Sequence, residues 1–142
     1  LLALMIFVDT GFFVALLCEN DAHHKHAKKA LQAYRGLSPR DSFLTTNNVV
    51  LETLTVARRE GGHAVAVEAG ELLFSGQMVN VYRTSEDDER AAFQYMKQHV
   101  DKRYSAIDCL SFVVMLKHGI TEVFTFDRRD FSHRFIVRPD LG

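Results

Sequence analysis

Short runs of β-branched and aromatic residues alternate along this chain with longer segments of helical periodicity, and that alternation restricts it to an α/β architecture. The runs are Leu4-Met5-Ile6-Phe7-Val8, Phe43-Leu44-Thr45-Thr46, Met78 to Tyr82, Thr121 to Phe126 and Phe135-Ile136-Val137. Each is too short for a helix, and the first is apolar throughout, as expected of a strand buried on both faces. Helices are expected over Gly11 to Leu17, about Ala22 to Tyr34 and about Val49 to Glu60. Further ones are expected over His63 to Phe74, from Ser85-Glu86-Asp87-Asp88 onward, and over Tyr104 to His118. Asp21 and Asn47-Asn48 are capping residues at helix starts. Gly36 with Ser38 and Pro39, Gly61-Gly62 and Gly119 are stops. The spacing points Ala27, Ala30, Leu31 and Tyr34 of the second helix, Val50, Leu51, Leu54 and Ala57 of the third, and Ala92, Phe93, Met96 and Val100 of the fifth toward a core. Val67, Leu72 and Phe74 are the apolar members of the fourth. The segment from Tyr104 is apolar nearly all round and should be central. The expected fold is a three-layer α/β/α sandwich about a mostly parallel sheet of four to five strands.

Length fits one domain spanning residues 1–142. A formal net charge of −1 excludes a global electrostatic pull on nucleic acid, so any such binding requires a local basic patch. Cys18 and Cys109 lie in apolar contexts without metal-ligand pairing, and buried free thiols are expected. No stretch approaches the length of uninterrupted apolar sequence that crosses a membrane. A cytoplasmic protein with no membrane association is the expectation.

Four acids stand in unusual places. Asp9 and Asp127 end strands, as Phe-Val-Asp-Thr and Phe-Thr-Phe-Asp, while Glu52 and Asp108 lie in the first turns of apolar helices. In a parallel α/β sheet these positions share the carboxyl edge of the strands, where ligands bind. Oxygen-only clusters suit hard cations such as Mg²⁺ or Mn²⁺, and such an ion activates water and offsets charge on a phosphoryl group. Each acid also has an ordinary explanation: Asp9 as a cap of the following turn, Asp108 in a capping box with Ser105, Glu52 as a dipole-favoured first-turn acid, Asp127 as a turn residue. The coincidence of four at one edge favours chemistry.

Phe7-Val8-Asp9-Thr10, Asn20-Asp21-Ala22-His23-His24 with Ala27 and Ala30, Val50-Leu51-Glu52-Thr53-Leu54, Tyr104-Ser105-Ala106-Ile107-Asp108-Cys109 and Val123-Phe124-Thr125-Phe126-Asp127 occur in this order over nearly the whole chain. This ordered set resembles the PIN domain, particularly the VapC-type toxins of prokaryotic toxin–antitoxin pairs. The resemblance implies a Mg²⁺- or Mn²⁺-dependent endoribonuclease with Asp9, Glu52, Asp108 and Asp127 as its acids. Asp9 and Asp108 would be direct metal ligands, and Glu52 and Asp127 would bind directly, act through water or orient the attacking water. It gives Ser105 and Thr10 supporting places, and leaves open whether Asp127 or Asp130 closes the cluster. It also implies an RNA substrate, a small antitoxin partner and a homodimer. The other readings are a non-catalytic PIN-like scaffold, or a Mg²⁺-dependent nuclease acting on DNA or a phosphatase.

Arg58, Arg59, Lys102, Arg103, Arg128 and Arg129 fall close to these acids in sequence, with Arg134 and Arg138 beyond, and are expected to hold an RNA backbone. Singly, each could equally belong to a solvated face. Tyr104 is expected as a partly buried aromatic, with stacking on an unpaired base as the alternative. Asp101 is expected at the surface. His23, His24 and His26 do not face one way on a helix and are not expected to bind metal. Phe12, Phe13, Leu16 and Leu17 are expected in the core, with a partner contact as the alternative.

Overall fold

A computed structural model describes residues 5–34 and 38–141. Strands β1 (Ile6–Val8), β2 (Phe43–Thr46), β3 (Asn80–Tyr82), β4 (Glu122–Phe124) and β5 (Ile136–Arg138) form one sheet in the order β3-β2-β1-β4-β5, and every neighbouring pair is parallel. Parallel neighbours need long crossovers, which the helices supply. These are α1 (Thr10–Leu17), α2 (His24–Gln32), α3 (Pro39–Ser42), α4 (Asn47–Gly61), α5 (His63–Phe74), α6 (Glu86–Gln98), α7 (Ala106–Lys117) and α8 (Arg128–Phe131). Helix α1 packs on α2 and α4, α4 on α5, and α6 on α7, giving the three-layer α/β/α sandwich expected. The stop expected at Gly36 lies outside the described residues.

Strand β1 is central because its residues are apolar on both faces, and Phe7 is wholly buried. From β1 the chain winds outward to β2 and β3, then returns to lay β4 on the opposite side of β1. The sheet therefore has its switch point between β1 and β4, where α/β folds open a crevice at the carboxyl ends of the strands. Aromatic packing makes this region stiff: the Phe12 ring stacks on Phe124 at 4.4 Å and on Phe126 at 5.8 Å. Phe12 and Phe13 are core residues, and each fully buried aromatic contributes roughly 2–3 kcal/mol through area removed from water.

Two helix faces are rotated from the sequence expectation. In α6, Phe93 is 58% exposed and Val100, just past the helix, 92% exposed, while Asp88, Ala92 and Tyr95 face inward. The acid causes the rotation. Asp88 forms a capping box with Ser85 and accepts hydrogen bonds from Tyr82 (2.7 Å) and Lys117 (3.0 Å), so burying it sets the phase of the helix. Burial opposes ionisation of Asp88, but the hydrogen bonds of the Ser85 N–H, the Tyr82 hydroxyl and Lys117 outweigh it and hold the carboxyl below the usual range. In α4, Leu51 is exposed and Thr53 is buried instead, its hydroxyl satisfied by the Val49 carbonyl at 2.8 Å. Val67, Leu72 and Phe74 of α5 are likewise exposed, because the inward face of α5 carries Ala69, Gly70 and Leu73. Gly62, with φ of 91°, takes the left-handed turn that separates α4 from α5. Helices α3 and α8 are single turns too short to leave a periodic signal. Cys18 and Cys109 are free and buried, as expected.

Candidate active site

Asp9 follows β1 directly. Its backbone N–H donates to the Phe124 carbonyl at 3.0 Å, extending the β1–β4 ladder one residue beyond the Val8–Phe124 pair. This register sets Asp9 beside Thr125. Asp9 occupies the N-cap position of α1, yet its carboxylate makes no capping hydrogen bond. Its Oδ2 instead accepts from the Thr125 hydroxyl at 2.9 Å. The capping explanation of Asp9 therefore fails. Thr125 is itself buried and also accepts from the Asp127 N–H at 3.0 Å. An N–H can only donate, so the hydroxyl proton of Thr125 is committed to Asp9.

The remaining acids arrive from three helices, α4, α7 and α8 with its cap. Glu52, on α4, is exposed, and its Oε2 accepts from the Thr10 hydroxyl at 2.8 Å; Thr10 is the first residue of α1. Asp108 is the third residue of α7, where the Ser105 hydroxyl caps its N–H at 3.0 Å. Asp127 caps α8 by accepting the Asp130 N–H at 3.1 Å, so its ordinary role and its place in the cluster coexist. Asp108, Asp127 and Asp130 each present a carboxylate oxygen within 4.8 Å of the other two. Both Asp127 and Asp130 thus reach the cluster. Asp9 and Glu52 do not join that trio at the same separation.

The electrostatics follow from the crowding. Burial, and then the charge of Asp108, push Asp9 up to about 7. Burial, and then the charge of Asp127, push Asp108 up to about 6, against the hydrogen bonding from Ser105. Burial also raises Asp127. Carboxylates held together in this way repel one another and resist ionisation, which is the signature of an oxygen site suited to a divalent cation.

The basic residues do not form one group. Lys102, Arg103 and Arg129 line a cleft of about 290 Å³ that includes Asp130. Arg128 turns away to Asp140 (3.9 Å) and the Pro139 carbonyl (3.2 Å). Arg58 hydrogen-bonds His63, and Arg59 follows it near the far end of α4. At 1.5 Å per residue both lie roughly 9–11 Å along the helix from Glu52. Tyr104 is 8% exposed and packs edge-on against Phe112 at 5.0 Å, which leaves no free face for a base. His24 is bonded to the Ala15 carbonyl and the His23 ring stacks on Phe126. Asp101 is exposed, as expected. Sequence reasoning missed Thr125, and only the β1–β4 register could have found it.

Residues 6–134 match the family described as PIN domain. The 23S rRNA-specific endonuclease VapC20 of Mycobacterium tuberculosis strain H37Rv is 36% identical over 137 residues, which cover 96% of this chain and 100% of the relative. The crystal structure of Mycobacterium tuberculosis VapC20, described as a sarcin–ricin-loop-cleaving toxin, has a TM-score of 0.83 at 36% identity over 94% of this chain and 99% of that one. DNA-bound VapBC from Salmonella typhimurium shares the fold at 13% identity, with a TM-score of 0.69 over 95% and 97% of the two chains. This chain belongs to the PIN domain family, and within it to the VapC type.

Proposed function

We propose that this chain is an endoribonuclease that hydrolyses RNA phosphodiesters with Mg²⁺ or Mn²⁺, the toxin of a toxin–antitoxin pair. The observation that carries the reading is the convergence of Asp108, Asp127 and Asp130 beside a buried Asp9. The donor set is all carboxylate oxygen, which fits a hard divalent cation. When bound, such an ion supplies a more acidic water and offsets the charge on the phosphoryl group.

In this reading Asp9 and Asp108 are direct ligands, joined by Asp127 or Asp130. Thr125 fixes the Asp9 carboxylate through the hydrogen bond to Oδ2. Thr10 fixes Glu52, which orients the attacking water. Ser105 keeps Asp108 ionisable. Exposed cations beside the acids hold the flanking RNA backbone. The likeness to the 23S rRNA-specific endonuclease VapC20 makes 23S rRNA the first substrate to test. A small antitoxin partner fits the likeness to VapBC. A cytoplasmic homodimer is part of the same reading.

The test is incubation of the purified chain with ribosomal RNA, with EDTA, Mg²⁺ or Mn²⁺, and mapping of new 5′ ends. Discrete ends that require the cation and vanish in Asp108→Asn are the expected result. Equal cutting of DNA of the same sequence would move the assignment to a general nuclease.

A further inference from the structure

We propose that the cleft between the turn preceding α7 and helix α8 seats one phosphodiester of unpaired RNA, adjacent to the bond being cut, through Lys102, Arg103 and Arg129. The choice of RNA rests on the ribonuclease reading; the cleft itself rests on geometry. Its walls carry three cations, Lys102, Arg103 and Arg129, against two acids, Asp101 and Asp130, with Tyr104, Ser132 and His133 between them, around about 290 Å³. That space takes a nucleotide unit and not a helix.

The same two segments that deliver the acids deliver the cations. Lys102 and Arg103 precede the Ser105 cap of the Asp108 helix, and Arg129 lies between Asp127 and Asp130 in sequence. An anion in the cleft therefore lies against Asp130, the member of the acid trio that lines it, next to the place of the phosphate being cut. The three side chains are exposed, and among the described residues neither Arg103 nor Arg129 makes an ion pair. Lys102 meets only Asp101, at 4.0 Å on the surface. Arg128, Arg138 and Lys117 have their charges engaged by Asp140, Glu122 and Asp88. The charge of Arg129 is felt by Asp127, but guanidiniums not held in an ion pair suit phosphate through paired N–H donors.

His133 makes one wall rigid. Its Nδ1 faces the Asp130 carbonyl at 2.8 Å and its Nε2 faces the Tyr95 hydroxyl at 2.6 Å. A carbonyl only accepts, so Nδ1 carries the proton; burial disfavours the charged ring, which leaves Nε2 to accept from the Tyr95 hydroxyl. The ring also stacks on Tyr104, with centroids 5.2 Å apart. Both nitrogens are thus engaged, and His133 is a wall and not a proton carrier.

The experiment measures binding of a labelled single-stranded RNA oligonucleotide to the full chain in EDTA across a KCl series. Cations that share one phosphate release the counterions of one phosphate. The triple variant Lys102→Ala/Arg103→Ala/Arg129→Ala should then bind at least about tenfold more weakly, with a log–log salt slope smaller by about 0.7. Arg103→Lys/Arg129→Lys should keep the slope. Lys25→Ala/Lys29→Ala, two charges removed from the exposed face of α2, should change neither quantity. A slope smaller by about 2 in the triple variant would mean separate phosphates on an open face and would overturn the single seat. Unchanged binding, or an equal loss in the α2 variant, would overturn the site. Cleavage of the same RNA with Mn²⁺ is scored separately. Wild type that binds as predicted but never cuts sinks the nuclease reading alone, and cutting with unchanged triple-variant binding sinks the cleft alone.

Discussion

The hydroxyl of Thr125 donates to Asp9 Oδ2 at 2.9 Å across 116 positions of sequence, and accepts from the Asp127 N–H. One side chain thus ties the acid that ends β1 to the acid that follows β4. Replacing Thr125 with Val keeps the shape and removes both bonds. Cleavage should fall by about 10- to 100-fold, the usual cost of losing a group that orients a metal ligand. Thr125→Ser should retain most activity. Circular dichroism should show both variants folded, and titration calorimetry with Mn²⁺ should show weaker binding for the Val variant. Unaltered metal affinity in Thr125→Val would remove the positioning role.

Asp9 is held at about 7 and Asp108 at about 6. An acid whose pKa is raised in the fold binds its proton more tightly folded than unfolded. Without metal, stability should therefore decline as pH rises from about 4, where unfolded Asp ionises, to about 7, above which the penalty is complete. For Asp9 the loss is on the order of 4 kcal/mol. A divalent cation requires the ionised acids, so its stabilising effect should be larger at pH 8 than at pH 5. Thermal midpoints at both pH values with EDTA and with Mn²⁺ check this. A cation effect as large at pH 5 as at pH 8 would contradict it.

Ser105 should show two separable effects. Its hydroxyl caps α7 at the Asp108 N–H, so Ser105→Ala should cost about 1 kcal/mol of stability. Its hydrogen bonding also keeps Asp108 lower than burial alone would set it. The acid limb of the pH–rate profile should therefore move upward in Ser105→Ala and return in Ser105→Thr. A loss of stability with an unmoved profile would reduce Ser105 to a cap.

The layer order, the strands and the acid edge were legible because each depends on local pattern: apolar runs stop on Asp9 and Asp127, and helices open near Glu52 and Asp108. What escaped depends on partners distant in sequence. Thr125 matters only once β4 is paired with β1 in the Val8–Phe124 register. Helix α6 was phased wrongly because a charged residue, Asp88, faces inward, and the Lys117 and Tyr82 groups that permit this come from other elements. Among the basic residues, proximity in sequence did not separate Arg128, committed to Asp140, from Arg129, one position on and in the cleft.

The most direct test compares wild type, Asp9→Asn and Asp108→Asn, each verified as folded, for Mn²⁺-dependent cleavage of ribosomal RNA read as mapped 5′ ends. The account predicts discrete cation-dependent ends for wild type and a loss of at least about 10³-fold in both variants, since losing a ligand of the cation that offsets the phosphoryl charge costs several kcal/mol. Cleavage at the wild-type rate by either folded variant would contradict it.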